Sequence, residues 1–232
     1  MPEISIVLIE PLYEGNVGFA ARVMKNFGFT RLVLVNPCPI GDEAIMRASH
    51  ARDVLDSARR MTIDEIYREF DLVVATTGEV SESVCTPMRM PYYAPAEVRE
   101  MVADIEGTVA ILFGRENWGL ANREVMRADI ICTIPASKAY PILNLSHAVG
   151  ILCYELASLP RGTYPLAGRV EMEALHQHLG EFLDRIDHPE FKRKNTTILL
   201  RRLFGRTRLT TREVSTLHGL MRRAEWHMEK KD

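Results

Sequence analysis

The chain has 232 residues, of which 47% are hydrophobic and 26% charged, a composition that excludes a disordered chain and a fibrous repeat. Its apolar runs are far shorter than the roughly 20 residues of a membrane-spanning helix, so we expect no membrane span. Because Glu3 leads into an apolar run with no basic region before it, we predict no signal peptide and a cytoplasmic protein.

The net charge of −2 hides an uneven distribution along the chain. Residues 190–232 carry 12 Lys and Arg against 5 Asp and Glu, a balance of +7. Residues 1–189 carry 17 against 26, a balance of −9. A basic segment beside an acidic body is typical of a protein whose basic part contacts a polyanion. The same charges could also merely solvate helix faces, and composition alone leaves both interpretations open.

Short branched-apolar runs alternate with helical patterns over the first 159 residues. This alternation predicts an α/β fold with a mainly parallel sheet and helices on both faces. The predicted strands are Ile4–Ile9, Leu32–Val35, Asp71–Thr76, Thr108–Phe113 and Ile130–Ile134. The predicted helices are Val17–Phe27, which ends at the C-cap glycine Gly28, then Glu43–Arg60, Pro95–Asp104, Leu120–Arg127 and Leu145–Leu159.

A stretch rich in Pro and Gly follows and is predicted to be a linker, residues 161–169. It separates residues 1–160, the predicted α/β domain, from residues 170–232, where only helical spacing of apolar residues occurs. Thr210 and Glu213 form a candidate capping box at the start of the last helix. We therefore predict a small, basic, helical extension at the carboxyl-terminal end.

Neither the cysteines nor the histidines suggest a metal site. Cys38, Cys85, Cys132 and Cys153 lie far apart without a C-x-x-C pair, so we expect reduced thiols, mostly buried. His176 and His178 are two residues apart on a predicted helix and therefore point in different directions. We predict no metal.

The loop after the first predicted strand, residues 10–18, lacks the G-x-G-x-x-G pattern of dinucleotide sites. The second strand ends at Asn36-Pro37 without the acidic residue that binds a ribose hydroxyl. No G-x-x-x-x-G-K-[ST] occurs either. These absences disfavour a nicotinamide-dependent oxidoreductase and a P-loop nucleotide hydrolase.

Three other loops hold polar residues at the expected carboxyl edge of the sheet. The first contains Asn16, Gly18 and Arg22; Asn16 could be only a helix N-cap, and Arg22 only a surface residue. The second, residues 113–120, has two glycines around an Arg-Glu pair and could be an ordinary turn. The third, residues 134–148, contains Asn144, which again could serve only as a cap.

In this order and spacing, the three loops resemble the three signature motifs of the SPOUT methyltransferases, in particular the TrmJ-like group of tRNA or rRNA methylases. The matching residues are Asn16-x-Gly18-x-x-x-Arg22, then Phe113-Gly114-Arg115-Glu116-x-x-Gly119-Leu120, then Ile134-Pro135 leading to Leu143-Asn144-Leu145-Ser146-x-Ala148. The resemblance covers most of the first 160 residues, and the helical extension is also similar to that of this group.

The resemblance implies a deep trefoil knot formed by the last strand and helix of the sheet domain, and a homodimer. It implies S-adenosyl-L-methionine as cofactor, in contact with Thr76, Thr77, Gly78, Phe113, Gly114, Ile134, Ile142, Leu143 and Asn144. It assigns substrate handling and catalysis to Asn16, Arg22 and Glu116. The implied reaction is 2'-O-methylation of RNA ribose, in tRNA at the pyrimidine of position 32 in the anticodon loop. An rRNA methyltransferase and a non-catalytic RNA-binding protein are the alternatives.

Two departures from bacterial members are visible. The loop of residues 78–83 has no basic residue, and Ile142 replaces a serine before the last motif. Arg89 is the nearest arginine after that loop and could contact RNA in place of the missing basic residues. Both departures fit an archaeal-type member better.

Arg22 is expected to bind an RNA phosphate and to stabilise the ribose hydroxyl as it loses its proton, because a guanidinium stays protonated and cannot be a simple base. Glu116 and Asn16 are expected to orient Arg22 or the ribose. The helical extension is expected to dock RNA without affecting cofactor binding. Its predicted RNA contacts are Lys192, Arg193, Lys194, Arg201 and Arg202.

Overall fold

The structure is a computed structural model that describes residues 2–78, 80, 87–137, 139–157 and 165–230. The strands are β1 (Glu3–Ile9), β2 (Leu32–Val35), β3 (Arg59–Arg60), β4 (Leu72–Thr76), β5 (Tyr92–Tyr93), β6 (Thr108–Phe113) and β7 (Ile130–Cys132). The helices are α1 (Glu14–Asn26), α2 (Asp42–Ala48), α3 (Arg52–Asp56), α4 (Ile63–Glu69), α5 (Pro95–Val102), α6 (Asn122–Arg127), α7 (Leu145–Leu156), α8 (Arg169–Arg185), α9 (Glu190–Thr207) and α10 (Thr211–Glu229).

Within the described residues, the strands form a single parallel sheet in the order β3-β2-β1-β6-β4-β7-β5. Alternate side chains of β1 enter two different cores: Ile6 and Leu8 pack with residues of α1, α5 and α7, whereas Val7 and Ile9 pack with residues of α4 and α6. A parallel sheet must be covered on both faces, and continuous apolar runs are the consequence. The predicted α/β fold with helices on both faces is confirmed.

One predicted helix, Glu43–Arg60, is wrong as a single element. α2 ends before Ser49, whose φ of 53° stops the helix, and a short turn leads into α3. The last two residues, Arg59 and Arg60, pair instead with β2 as an edge strand. Sequence reasoning also missed α4, although Thr62 and Glu65 form the capping box that opens it.

The helical extension, α8 to α10, has its own apolar core and docks on the sheet domain through a buried ion pair. Met172, Leu175, Val214 and Met221 belong to that core, and the predicted capping box of Thr210 with Glu213 is present. Arg169 donates hydrogen bonds to Asp129 Oδ2 at 2.7 Å and to Tyr67 O at 2.7 Å. Arg169 and Asp129 are both buried. Removing one partner of such a pair would leave an uncompensated buried charge.

Cys132 and Cys153 are buried free thiols, as predicted, and burial raises the pKa of both to about 12. Cys38 is only half-buried, and Cys85 lies outside the described residues.

Among the described helices, none combines the length and the apolarity needed to cross a bilayer.

Candidate active site

A cavity of 370 Å³, here called the larger cavity, opens at the carboxyl ends of β4, β6 and β7. Parallel sheets place their ligands at this edge. Eight of the nine residues predicted to contact the cofactor line it: Thr76, Thr77, Gly78, Phe113, Gly114, Ile134, Ile142 and Leu143. The ninth, Asn144, lines a neighbouring cavity instead. Residues far apart in the sequence are therefore brought together by the strand order.

A tight turn after β6 forms one wall of the larger cavity. Arg115 and Gly119 exchange backbone hydrogen bonds of 3.1 and 2.9 Å. A Cβ atom on Gly114 would overlap the backbone of Gly119, and Gly119 itself has a φ of 71°. Glycine is therefore required at position 114 because the two backbone segments approach closely, and at position 119 because the backbone is in the left-handed conformation.

Arg115 holds this turn rigid from inside the protein, a role that the sequence analysis did not assign. The buried guanidinium pairs with Glu124 at 2.7 Å and with Glu10 at 2.9 Å. Burial opposes its charge, but the hydrogen bonds to these two carboxylates raise the pKa of Arg115. The hydrogen bond from Arg115 in turn lowers the pKa of Glu10. The indole of Trp118 lies 4.2 Å from the guanidinium carbon and lines the larger cavity.

A second cavity of 280 Å³, here called the smaller cavity, lies between α1 and the start of α7. It is lined by Asn16, Phe19, Arg22, Val23, Asn26, Asn144, Ser146 and His147. The guanidinium of Arg22 forms no hydrogen bond or ion pair with any residue that the structure describes, so its charge is available to a ligand. An unpaired guanidinium in a cavity is suited to bind a phosphate oxygen.

A chain of hydrogen bonds joins the two cavities. Asn16 donates from Nδ2 to Glu116 Oε1 at 2.8 Å, and Leu12 N donates to Glu116 Oε2 at 2.9 Å. Asn144 donates from Nδ2 to Asn16 Oδ1 at 3.1 Å and accepts from the backbone and hydroxyl of Ser146. All three motifs therefore meet at Asn16.

The structure decides between two interpretations of Asn16. α1 begins at Glu14 with Tyr13 as its N-cap, so the interpretation of Asn16 as an N-cap is wrong. Its side chain contacts Glu116 and Asn144 instead. Asn144 does cap α7, and it contacts Asn16 at the same time. Of the two roles expected of Glu116, orienting Arg22 or orienting the ribose, a direct contact with Arg22 is not formed among the described residues; its two oxygens accept from Leu12 N and Asn16 Nδ2.

The residues predicted to bind RNA differ in their exposure and in their partners. Lys192 and Lys194 are exposed on α9, whereas Arg193 is half-exposed and pairs with Asp184 at 2.6 Å. Arg89 lies in the larger cavity and donates to Thr77 Oγ1 at 2.6 Å. The loop of residues 78–83 that precedes it lies mostly outside the described residues.

Arg201 and Arg202 face the sheet domain, and this corrects their predicted role. Arg201 is 14% exposed and pairs with Glu173. Arg202 is 2% exposed, and within the part of the chain that the structure describes it donates only to backbone carbonyls. A buried guanidinium cannot meet an RNA phosphate without breaking these contacts, so neither residue is a docking contact in this fold. No cluster of potential metal ligands occurs among the described residues.

Comparison with known proteins defines the class to which this site belongs. Residues 3–154 match the SpoU rRNA Methylase family, and residues 170–232 match the tRNA methyltransferase TrmJ, C-terminal domain. The chain is therefore a member of the SpoU methylase family.

Full-length relatives narrow the assignment. A Methanocaldococcus jannaschii protein named tRNA (cytidine-2'-O-)-methyltransferase TrmJ is 37% identical over 92% of this chain and 96% of its own length. A Yersinia pestis protein named tRNA (cytidine/uridine-2'-O-)-methyltransferase TrmJ is 36% identical over 94% and 90%. The crystal structure of TrmJ from Z. mobilis ZM4 superposes with a TM-score of 0.74 and 33% identity, covering 97% of this chain and 99% of that one. This chain belongs to the TrmJ family.

Proposed function

We propose that this protein is an S-adenosyl-L-methionine-dependent tRNA ribose 2'-O-methyltransferase that modifies the pyrimidine at position 32 of the anticodon loop. Family membership supports methyl transfer to tRNA ribose. The observation that carries the assignment of the site is the convergence of three distant segments on the larger cavity, joined through Asn16 to the cavity that holds Arg22.

The larger cavity fits the cofactor in size and chemistry. Its 370 Å³ is within the roughly 300–1,000 Å³ of small-molecule sites. Apolar walls from Phe113, Ile134, Ile142 and Leu143 suit an adenine, while polar groups such as Thr77 offer hydrogen bonds. When bound, S-adenosyl-L-methionine supplies an electrophilic methyl group on a sulfonium.

The protein's own task is to position a ribose hydroxyl in line with that methyl group. Arg22 binds the RNA phosphate beside the target ribose and stabilises the 2'-oxygen as it loses its proton. It does so as a cation, because a guanidinium remains protonated at accessible pH. Asn16 is held by Glu116 on one side and Asn144 on the other, and it orients the ribose.

The helical extension docks tRNA with a set of cations that differs from the predicted set. Exposed basic residues without an acidic partner among the described residues are Lys192, Lys194, Arg206, Arg212, Arg222, Arg223 and Lys230. Their charge compensates for the acidic body, which by itself would repel RNA. Contacts of this kind position the substrate without reading its bases.

We further propose a homodimer in the cytoplasm, in which both subunits complete each active site, and a trefoil knot around the larger cavity. Support for the dimer comes from exposed apolar side chains on α1 and α7, Phe19, Ile151 and Tyr154, which are 39%, 36% and 66% exposed. Exposed apolar surface of this kind marks interfaces. The division into residues 1–160, 161–169 and 170–232 is part of the same proposal; residues 161–164 lie outside the described part.

The decisive experiment incubates the protein with labelled S-adenosyl-L-methionine and total RNA of its host. Nuclease digestion and mass spectrometry then identify the methylated nucleoside and its position. A 2'-O-methyl pyrimidine at position 32 of tRNA is expected. Methylation of rRNA or of a base would contradict the proposed substrate or reaction, and RNA binding without cofactor binding would indicate a non-catalytic protein.

A further inference from the structure

Arg202 of α9 is a buried arginine that belongs to the helical extension but bonds to the sheet domain. It is 2% exposed, and its guanidinium donates to Ala128 O, to Val125 O at 2.5 Å and to Met88 O at 3.1 Å. Among the described residues no carboxylate contacts it, and its Nε has no partner there. Burial lowers the pKa of Arg202 to about 10.

The carbonyls that Arg202 holds belong to two segments that support the larger cavity. Met88 precedes Arg89, which lines that cavity and donates to Thr77 Oγ1 at 2.6 Å and to Asn122 Oδ1 at 3.4 Å. Val125 lies within α6, the helix that Asn122 opens, and Ala128 follows it. A single guanidinium therefore fixes the segment of Arg89 relative to α6.

α9 approaches these segments closely enough to act through a single side chain. A Cβ atom on Gly205, three residues beyond Arg202, would overlap the backbone oxygen of Asp129. Side chains at positions three apart lie on the same face of a helix. Arg202 and Gly205 thus form one contact face against the end of α6.

An apolar side chain would fill the same space at a lower desolvation cost, since burying a guanidinium without a carboxylate is unfavourable. What an apolar residue cannot do is bridge three carbonyls of two segments. The planar fork of arginine can do so, and the compact ammonium of lysine cannot reach all of them at once. Arg202 therefore has a higher desolvation cost than an apolar residue, but it holds the two segments in a fixed geometry.

We propose that Arg202 is a positioning residue for the cofactor site: through Met88 and α6 it holds Arg89 against Thr77, so that the helical extension completes the larger cavity. The expectation that cofactor binding is independent of the extension is thereby revised. This inference rests on the proposed function only in taking S-adenosyl-L-methionine as the ligand of that cavity.

The test compares full-length Arg202→Met with Arg201→Met, a neighbour on the same helix whose contacts are Glu173, the carbonyl of Arg127 and, at 4.0 Å, Asp129 Oδ1. Titration calorimetry measures the Kd for S-adenosyl-L-methionine, and the thermal midpoint of each variant measures stability. Arg202→Met is expected to weaken cofactor binding about tenfold, while Arg201→Met stays within about twofold at a similar loss of stability. In turnover assays the KM for the cofactor should rise more than kcat falls, with the KM for tRNA unchanged.

If Arg202→Met does not fold, Arg202→Lys replaces it, with an expected loss of about threefold because fewer carbonyls are held. Unchanged cofactor affinity in any folded Arg202 variant would overturn the inference. Equal losses in the two methionine variants would do so too, since they would indicate general destabilisation. If the wild-type protein binds no S-adenosyl-L-methionine, the proposed function is wrong instead.

Discussion

Asn16 donates a hydrogen bond from Nδ2 to Glu116 Oε1 at 2.8 Å, and this bond joins α1 to the turn after β6. Because Glu116 Oε2 also accepts from Leu12 N, the carboxylate uses both of its oxygens. A glutamine at this position has only one acceptor oxygen, so one of the two donors would face an NH₂ group. Glutamine, the neutral equivalent of Glu116, therefore cannot preserve both hydrogen bonds.

From this we predict that Glu116→Gln lowers kcat by about 10- to 100-fold, because a misplaced Asn16 no longer orients the ribose. Single-turnover kinetics with saturating cofactor and tRNA would measure the loss. Glu106→Gln, a change in a loop outside both cavities, is the matched control and should leave kcat unaltered. A kcat of Glu116→Gln equal to that of the wild type would show that the bond has no catalytic role.

Arg22→Ala is predicted to abolish turnover while changing the Kd for S-adenosyl-L-methionine by less than about twofold, because Arg22 lines the smaller cavity and not the larger one. Arg22→Lys should recover only part of the activity, since an ammonium lacks the fork that binds a phosphate at two oxygens. Arg31→Ala serves as the control. Arg31 is exposed and directly precedes β2, at the end of the strand that is opposite to the two cavities. A large loss of cofactor affinity in Arg22→Ala would refute this role.

The exposed cations of the extension should govern the salt dependence of tRNA binding. Replacing Lys192, Lys194, Arg222 and Arg223 by serine is expected to reduce the slope of log K against log salt by about one per lost phosphate contact. Affinity should fall alike for all tRNAs, and cofactor affinity should not change. Serine replacements of Arg52 and Arg59, exposed cations of the sheet domain, are the control. An unaltered slope in the fourfold variant would mean that tRNA docks elsewhere.

His176 makes the stability of the extension depend on pH. Burial lowers its pKa from 6.5 to about 4, and its Nε2 has no partner among the described atoms. Between these values the unfolded chain binds a proton that the folded protein does not, so stability is complete above pH 6.5 and falls as the pH drops towards 4. At pH 5 the cost is about 2 kcal/mol.

Substitution of His176 by leucine removes this titration. Between pH 7 and pH 5, the free energy of unfolding of His176→Leu in urea should fall by about 2 kcal/mol less than that of the wild type. A smaller dependence should remain, because burial also lowers the pKa of His218. At pH 5 the variant should be at least as stable as the wild type. The same pH dependence in both proteins would assign the effect to other groups.

Glu173 titrates at lower pH. Despite burial, Arg201 and Arg169 lower its pKa to about 2, so its contribution to stability is lost only below pH 4.5.

Gly114→Ala is predicted to destabilise the protein by more than about 3 kcal/mol and to abolish cofactor binding, because the added methyl would overlap the backbone of Gly119. Gly219→Ala is the matched control. It lies within α10 with open space around the added atom, and it should stabilise the helix by up to about 1 kcal/mol. Chemical denaturation of both variants measures the difference. Wild-type stability of Gly114→Ala would show that the turn can open.

The five main strands, the two-sided burial of the sheet and the three loops at its carboxyl edge could be predicted from local patterns, but the order of the strands in the sheet could not. β1 and β6 are continuous apolar runs that only a buried parallel strand tolerates. The end of β1 precedes Asn16, the end of β6 precedes Glu116, and the end of β7 precedes Asn144. The edge strands β3 and β5 could not be predicted, because each has two residues and is defined by hydrogen bonds to its neighbour rather than by its own side chains.

The role of each basic residue of α9 was decided only by tertiary structure. Lys192, Arg201 and Arg202 have the same sign of charge in the same helix, and composition treats them alike. Folding leaves the first exposed, pairs the second with Glu173 and buries the third against three carbonyls. Burial and partner identity depend on which surfaces pack together, and contacts such as the one between positions 88 and 202 join segments that no local pattern relates.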